Sequence, residues 1–475
     1  MVFNSLEFLA FFPVVLVLHW SLPAAWRRGL LLVAGGCFYW CWSPYHTALL
    51  AALTVSVFFL ARGLAHPRAG ARTRLACLAA VLALNLGVLV TFKYFNFIAQ
   101  QLALACNVMA LDFTAPALRL LMPLGISFYT FQLIGYALDV HWGRVAPETD
   151  IVAFALFVSF FPKLVAGPIE RGAQLLPQFH EEKVFAYADA KDGALQMLWG
   201  YVKKVAIADV LALYVHQVYN APRDYLGLPT MLAMVFFAVQ LYCDVSGYAD
   251  IAIGGARMLG YRLSPNFNLP FFAPSTTELW RRWHITLSFW FRDYVYTPLA
   301  LALRNLGRAG IVLSVLGSFL LIGIWHGAAW SFVVFGLCQG LIICAETLTA
   351  RRRKKLLAAC PPAVVRTAGA LFTFACFAVT CVFFRADSLP RACTMLRNAV
   401  DFSTFDAGHL GIVGDRLALV LALLVVERVS VGVDWKRLFY ASPCWLRWPV
   451  YIATAFAVLM LGSGNEITEF IYFEF

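Results

Sequence analysis

The chain has 475 residues, of which 61% are hydrophobic and 13% charged. A soluble domain carries about twice that charged share, and near-uncharged runs recur here from end to end, so the bilayer is the expected solvent. The composition excludes a disordered or collagen-like chain and a disulfide-stapled secreted domain. The excess of 37 basic over 26 acidic residues, +11 at pH 7, reads as a topology signal and not as a nucleic-acid surface.

Basic residues gather in short loops: Arg27 and Arg28, then Arg62, Arg68, Arg72 and Arg74, then Arg304 and Arg308, then the run from Arg351 to Lys355. With the first two clusters cytoplasmic, the N-terminus faces outward. Leu6 to Trp20 then enters from outside, Leu30 to Trp42 returns, and Thr47 to Leu60 leads back to the second basic loop. A cleaved signal peptide fits Leu6 to Trp20 less well, because Glu7 stands where positive charge is expected and no small-residue cleavage site follows.

Further charge-poor runs are Leu75 to Phe92, Leu120 to Leu138, Ile151 to Val165, Ala194 to Val215, Thr230 to Tyr242, Ala309 to Ala345, Thr367 to Phe384, Leu417 to Val426 and Val450 to Leu461. The expected fold class is an all-α polytopic membrane protein of about 11–13 transmembrane or re-entrant helices, a single integral domain over residues 1–475. Several runs fall short of the roughly 20 residues needed to cross. Ala194 to Val215 also carries Lys203, Lys204 and Asp209, as a thinned or funnelled body with re-entrant segments would. The 12 cysteines show no C-x-x-C pair and no zinc-type spacing, so neither disulfides nor a protein-held metal is expected. With no repeat and no separate soluble domain, the working part belongs in the membrane, where each ionisable residue needs a partner or a task.

Such residues concentrate first in Ser275 to Pro298, S-T-T-E-L-W-R-R-W-H-I-T-L-S-F-W-F-R-D-Y-V-Y-T-P. Ser275 and Glu278 form a capping box and Pro298 closes the far end, which predicts one helix of about 20 residues, interfacial or re-entrant, over about 275–298. Trp280, Trp283, Leu287 and Tyr294 share an aromatic face, and Arg281, His284, Ser288 and Arg292 a neighbouring stripe. Two readings fit: a helix in the headgroup layer with arginines on lipid phosphates, or a site where Arg281, Arg282 and Arg292 attract an anion while His284 points inward.

The second concentration is a single histidine. Ala309 to Ala345 contains no Asp, Glu, Lys or Arg, and His326 lies near its middle in G-I-W-H-G-A-A-W. Basic residues at both ends make this a hairpin with His326 at its turn, flanked by Gly323 and Gly327. Its imidazole is either interhelical hydrogen-bonded glue or a general base, since it is the side chain whose ordinary pKa suits proton exchange near neutrality. A smaller cluster, Leu241 to Gly255, sets Asp244 and Asp250 around a Ser246-Gly247 helix break. These acids orient a histidine, form structural pairs, or make a polar hinge satisfied by its own backbone. The chain lacks G-x-S-x-G, P-loop, dinucleotide G-x-G-x-x-G and H-E-x-x-H signatures.

The blocks P-L-G-I-S-F-Y-T-F-Q from Pro123, F-F-P-K-L-V-A-G-P-I-E-R from Phe160, Leu241 to Gly255 followed by N-F-N-L-P-F, the segment from Trp280, G-I-W-H-G-A-A-W from Gly323 and the ending F-I-Y-F-E-F together resemble the membrane-bound O-acyltransferase family. The likeness is to its bacterial branch of alginate O-acetylation and teichoic-acid D-alanine transfer proteins. One departure is Ala300-Leu301 after Pro298-Leu299, where the family continues P-L-G-G. The resemblance implies a funnel with a thin central floor, His326 as the catalytic histidine and His284 at the second polar position. Arg281, Arg282, Trp283, Ser288, Arg292, Asp293, Trp325, Asp244 and Ser246 are expected to bind substrate or support the site. It further implies acetyl-coenzyme A as donor substrate, with no permanently bound cofactor. The setting is the bacterial inner membrane, with lipids around the chain and periplasmic partner proteins completing O-acetylation of an exported polysaccharide such as alginate or cellulose. Two other classes stay open: a transporter or flippase for a lipid-linked sugar, and a noncatalytic scaffold of a polysaccharide secretion complex.

Overall fold

Apolar runs with no water to satisfy their backbone must close their hydrogen bonds internally, and every regular element among the described residues is helical. The structure, a computed structural model, describes residues 1–403, 408–433, 435–463 and 470–471. Residues 472–475 of the F-I-Y-F-E-F ending, and 404–407 of the polar loop after Asn398, lie outside them. Among the described residues seven helices are long and apolar enough to cross a bilayer: Pro44–Leu64, Ala71–Val108, Leu228–Met258, Arg308–His326, Trp330–Leu356, Pro362–Arg385 and Cys444–Leu461. Leu6–Ser21 is apolar but shorter. The protein is an all-α polytopic membrane protein, and its residues group into two units, 1–197 with 251–265, and 198–250 with 266–475.

In the first unit, two of the motif blocks lock together. Gly125, at φ +69°, brings its backbone so close to Leu164 that a Cβ there would lie 2.4 Å from the Leu164 carbonyl oxygen. Gln132 donates to the Phe157 carbonyl and accepts from the buried Lys163 ammonium. The Ile151 to Val165 run is accordingly not one helix. Ile151–Ser159 ends at Phe160, and Phe161–Leu164 turns away with Pro162 in its first turn. Glu170, buried in the loop that follows, accepts the backbone N–H and hydroxyl of Ser264 at 2.6 and 3.0 Å.

The second unit holds the hairpin of Arg308–His326 and Trp330–Leu356. Gly310, Ser314 and Ser318 recur every four residues on one helix, as do Gly336, Gly340 and Cys344 on the other, so both present small faces. The hydroxyls of Ser314 and Ser318 are satisfied by carbonyls one turn back, at 2.7 Å each. The backbones approach until a Cβ at Gly336 would stand 2.2 Å from the Phe319 oxygen, and one at Gly323 would stand 2.3 Å from that of Phe332.

The structure corrects one expectation about this unit. Ser246-Gly247 is not a break: Leu228–Met258 is one helix of 31 residues. Gly247 is small because another backbone passes there; a Cβ would meet the Gly200 oxygen at 2.8 Å and the Lys204 nitrogen at 3.1 Å.

Gly323→Ala should therefore wedge the hairpin apart, costing about 1–3 kcal/mol of stability, whereas Gly29→Ala, where nothing lies within 4 Å, should be neutral or slightly stabilising. Thermal unfolding of both variants in detergent, followed by tryptophan fluorescence, checks the contrast.

Candidate active site

Ser275 caps the helix that follows it, accepting from the Glu278 N–H at 3.2 Å. The Glu278 carboxylate is instead engaged by Arg282 at 2.9 Å and Arg281 at 3.7 Å. Glu346 binds the next two donors, accepting from the backbone of Thr276 and Thr277 at 2.6 and 3.0 Å. The helix is only Thr276–Arg282. The expected continuous helix is broken at Trp283 and His284, where His284 has φ +41° and ψ 56°, and a new helix runs Ile285–Phe291.

A left-handed histidine costs roughly 1–3 kcal/mol and persists only where its surroundings hold it. Here the segment from Asn266 to Asn268 clamps both sides of the kink. The Asn268 N–H donates to the Arg282 carbonyl at 2.9 Å, and the Ile285 N–H to the Asn266 carbonyl at 2.8 Å. Asn266 Oδ1 accepts from the Thr286 N–H at 3.2 Å and its hydroxyl at 2.8 Å.

The kink turns His284 out of the arginine stripe and into the interior. Its ring lies 6.1 Å from Phe267 and meets the Trp325 indole edge-on at 6.1 Å. Trp325 lies 4.9 Å from the ring of His326, the last residue of its helix, so one indole touches both imidazoles. His326 also contacts Phe384 at 4.9 Å and Phe335 at 6.0 Å. Gly327 leaves room for Phe332, whose ring edge is 2.1 Å from where a Cβ would stand. Both histidines are buried, at 1% and 3% exposure. Burial lowers the His284 imidazole from its ordinary value to about 3. Two imidazoles on one indole, reached from separate elements, suit proton transfer in a buried site.

The other expected residues separate into two groups. Trp283 is buried with Tyr242, Phe271 and Phe377, its ring 4.8 Å from that of Phe377, and Ser288 ties down the Trp283 carbonyl at 3.0 Å. Both support the kink. Arg281 and Arg292 stay largely exposed, at 68% and 54%, with Asp293 paired to Arg292 at 2.7 Å. The predicted stripe joining Arg281 and Arg292 to His284 is thus overturned, because the left-handed turn destroys the helical register on which it rests. Asp244 and Ser246 are engaged by buried lysines: Lys204 bridges Asp244 at 2.7 Å and Asp209 at 2.9 Å, while Lys203 bonds Ser246 at 2.9 Å and also pairs with Asp250. The second Asp244 oxygen accepts the Ile471 N–H at 2.8 Å. Of the readings open for these acids, structural pairing is the one the geometry bears out.

Three features escaped sequence reasoning. Asn266 was visible only within the N-F-N-L-P-F block. Arg385, buried next to Phe384, contacts His216 at 3.1 Å. Gln339 joins three helices, accepting from the Trp280 indole at 3.0 Å and donating to Thr380 at 2.6 Å. A lone polar residue inside a long apolar run is the signal that marks Gln339.

These features define a polytopic membrane protein whose ionisable side chains gather in its interior. The sequence profile described as MBOAT, membrane-bound O-acyltransferase family, matches residues 146–385, which include both histidines and the rings around them. The chain belongs to this family and is a membrane O-acyltransferase. It is similar to the probable alginate O-acetylase AlgI of Azotobacter vinelandii, 35% identical over 453 residues that cover 93% of this chain and 86% of that one. The peptidoglycan O-acetyltransferase of Helicobacter pylori is 29% identical over 476 residues, 93% of this chain and 86% of its own. The teichoic acid D-alanyltransferase of Bacillus subtilis is 27% identical over 249 residues, 50% of this chain and 62% of its own.

Asn266→Ala should release the kink, losing about 1–3 kcal/mol of stability and at least about tenfold of the acyl-transfer rate as His284 leaves its place. Lys204→Met should cost about 3–5 kcal/mol, because Asp209 and Asp244 would stay buried without their cation. Thermal unfolding of both variants, with acetylation assays on Asn266→Ala, tests the assignments.

Proposed function

We propose that the protein takes an acetyl group from acetyl-coenzyme A on the cytoplasmic side of the bacterial inner membrane and passes it outward for O-acetylation of an exported polysaccharide. The observation that carries this reading is the convergence of His284 and His326 on Trp325. In this mechanism neutral His326 accepts the proton of the acceptor hydroxyl as that oxygen attacks the thioester carbonyl. His284, held neutral, donates a hydrogen bond to the developing oxyanion or holds the acceptor. The carbon–sulfur bond then breaks, and the imidazolium of His326 returns its proton to the leaving thiolate.

The length of the hairpin supports outward delivery. His326 lies 18 residues beyond Arg308, about 27 Å along the helix axis, close to the thickness of the hydrocarbon layer. With the basic ends cytoplasmic, an acceptor arriving from outside meets His326 near the far end of the span, while the donor must reach in from the other side. Relatives named for acetylation of alginate and of peptidoglycan support a cell-envelope polymer as the final acceptor. Periplasmic partner proteins complete the delivery.

The test is transfer from labelled acetyl-coenzyme A to candidate polymers by purified protein in liposomes. His326→Ala should insert normally and lose about 10²–10⁴-fold in rate; a variant that folds and transfers at the wild-type rate removes the base from the mechanism. His284→Asn, which keeps a hydrogen-bond donor but not the imidazole, should also lower the rate, and an unchanged rate removes His284 from the mechanism.

A further inference from the structure

Away from the histidines, the second unit has a cleft of about 320 Å³. Arg282, Arg366 and Arg428 line it together with an apolar wall that includes Phe271, Leu371, Phe374 and Leu424. Arg282 is paired with Glu278 at 2.9 Å. Among the described residues Arg366 and Arg428 form no ion pair, and both are exposed. Their places in the chain are alike: Arg366 lies in the second turn of Pro362–Arg385, shortly after the basic run, and Arg428 in the last turn of Gly408–Val429. The Pro362–Arg385 helix turns Val364, Leu371 and Phe372 outward at 58%, 66% and 68% exposure, as a lipid-facing surface does.

We infer that this cleft is a binding site for an anionic phospholipid, its phosphate held by Arg366 and Arg428 with Arg282 at the edge, and one acyl chain lying along Phe271, Phe374 and Leu424. The charge argues for it, because two guanidinium groups without carboxylate partners, one of them in the second turn of a membrane-spanning helix, match a phosphodiester. The wall argues for it too, because it offers an alkyl chain apolar side chains and Thr367, whereas a nucleotide needs several polar partners for its base and sugar. The site also adjoins the chemistry. Phe271 packs on Phe374 at 4.9 Å and on Trp283 at 6.2 Å, so an acyl chain in the cleft backs the aromatic cluster that supports the His284 kink.

Native mass spectrometry of the delipidated, detergent-purified full chain, titrated with phosphatidylglycerol or phosphatidylcholine, tests the site. The wild type should prefer phosphatidylglycerol. The double variant Arg366→Gln, Arg428→Gln should bind it about 30-fold more weakly, the effect of two basic groups at a membrane surface, with phosphatidylcholine binding unchanged. Leu371→Trp, which fills the groove, should reduce binding of both lipids, and tryptophan fluorescence and gel filtration confirm that the variants are folded. Equal phosphatidylglycerol binding by the wild type and the double variant overturns the proposal. So does displacement of the lipid by adenosine 3′,5′-bisphosphate accompanied by a raised KM for acetyl-coenzyme A in the double variant, since the arginines would then serve a nucleotide. Acetyl transfer by the wild type is measured separately, so failure of the lipid site leaves the transferase reading intact.

Discussion

Breaking a helix inside a membrane protein frees backbone groups that water cannot reach, and each must find a partner within the protein. At Trp283 and His284 those partners come from Asn266 and Asn268, which accept from Ile285 and Thr286 and donate to Arg282. A left-handed histidine pinned from both sides has little freedom to turn back toward the arginines. The same three-residue segment contributes Phe267, whose ring adjoins both His284 and Trp283. Backbone repair and ring placement are thus one device, and the convergence on Trp325 depends on it.

The interior of the second unit handles its ionisable groups in two different ways. Lys203 and Lys204 sit in a widened turn, Val202–Ala208, and are paired with Asp250, Ser246, Asp209 and Asp244. A closed network of this kind fixes geometry and resists change, because removing one member strands the others. His284 and His326 are instead packed against aromatic rings, Phe267 and Trp325 for the first and Trp325, Phe335 and Phe384 for the second. Asp244 and Ser246 lie in the first environment, held by Lys204 and Lys203.

What was legible in the sequence follows from which forces act locally. The hairpin could be read because 37 residues without a formal charge, with Arg308 before them and the basic run from Arg351 after, leave few alternatives, and His326 is the last residue of the first helix of the pair. The family could be read because several blocks occur in one order. The kink could not: Ser275, Glu278 and the aromatic spacing all favour a continuous helix, and the hydrogen bonds that override them come from Asn266, some twenty residues away. The Ser246-Gly247 reading failed for a related reason. Gly247 looked like a flexible point, but its smallness serves the close passage of Gly200 and Lys204, a contact that sequence periodicity does not report.

The small-residue faces of the hairpin bear on where the histidine can be. Helices in lipid gain little from burying apolar surface, so Gly336 and Gly323 secure the pair by backbone proximity instead. That proximity continues to the very end of Arg308–His326, where Gly327 admits the Phe332 ring beneath the turn. Phe332 packs on Phe384 at 5.0 Å, and Phe384 in turn packs on His326. The packing that closes the hairpin is therefore continuous with the packing that walls the imidazole. A looser turn would loosen the wall around His326 and leave its ring less firmly held.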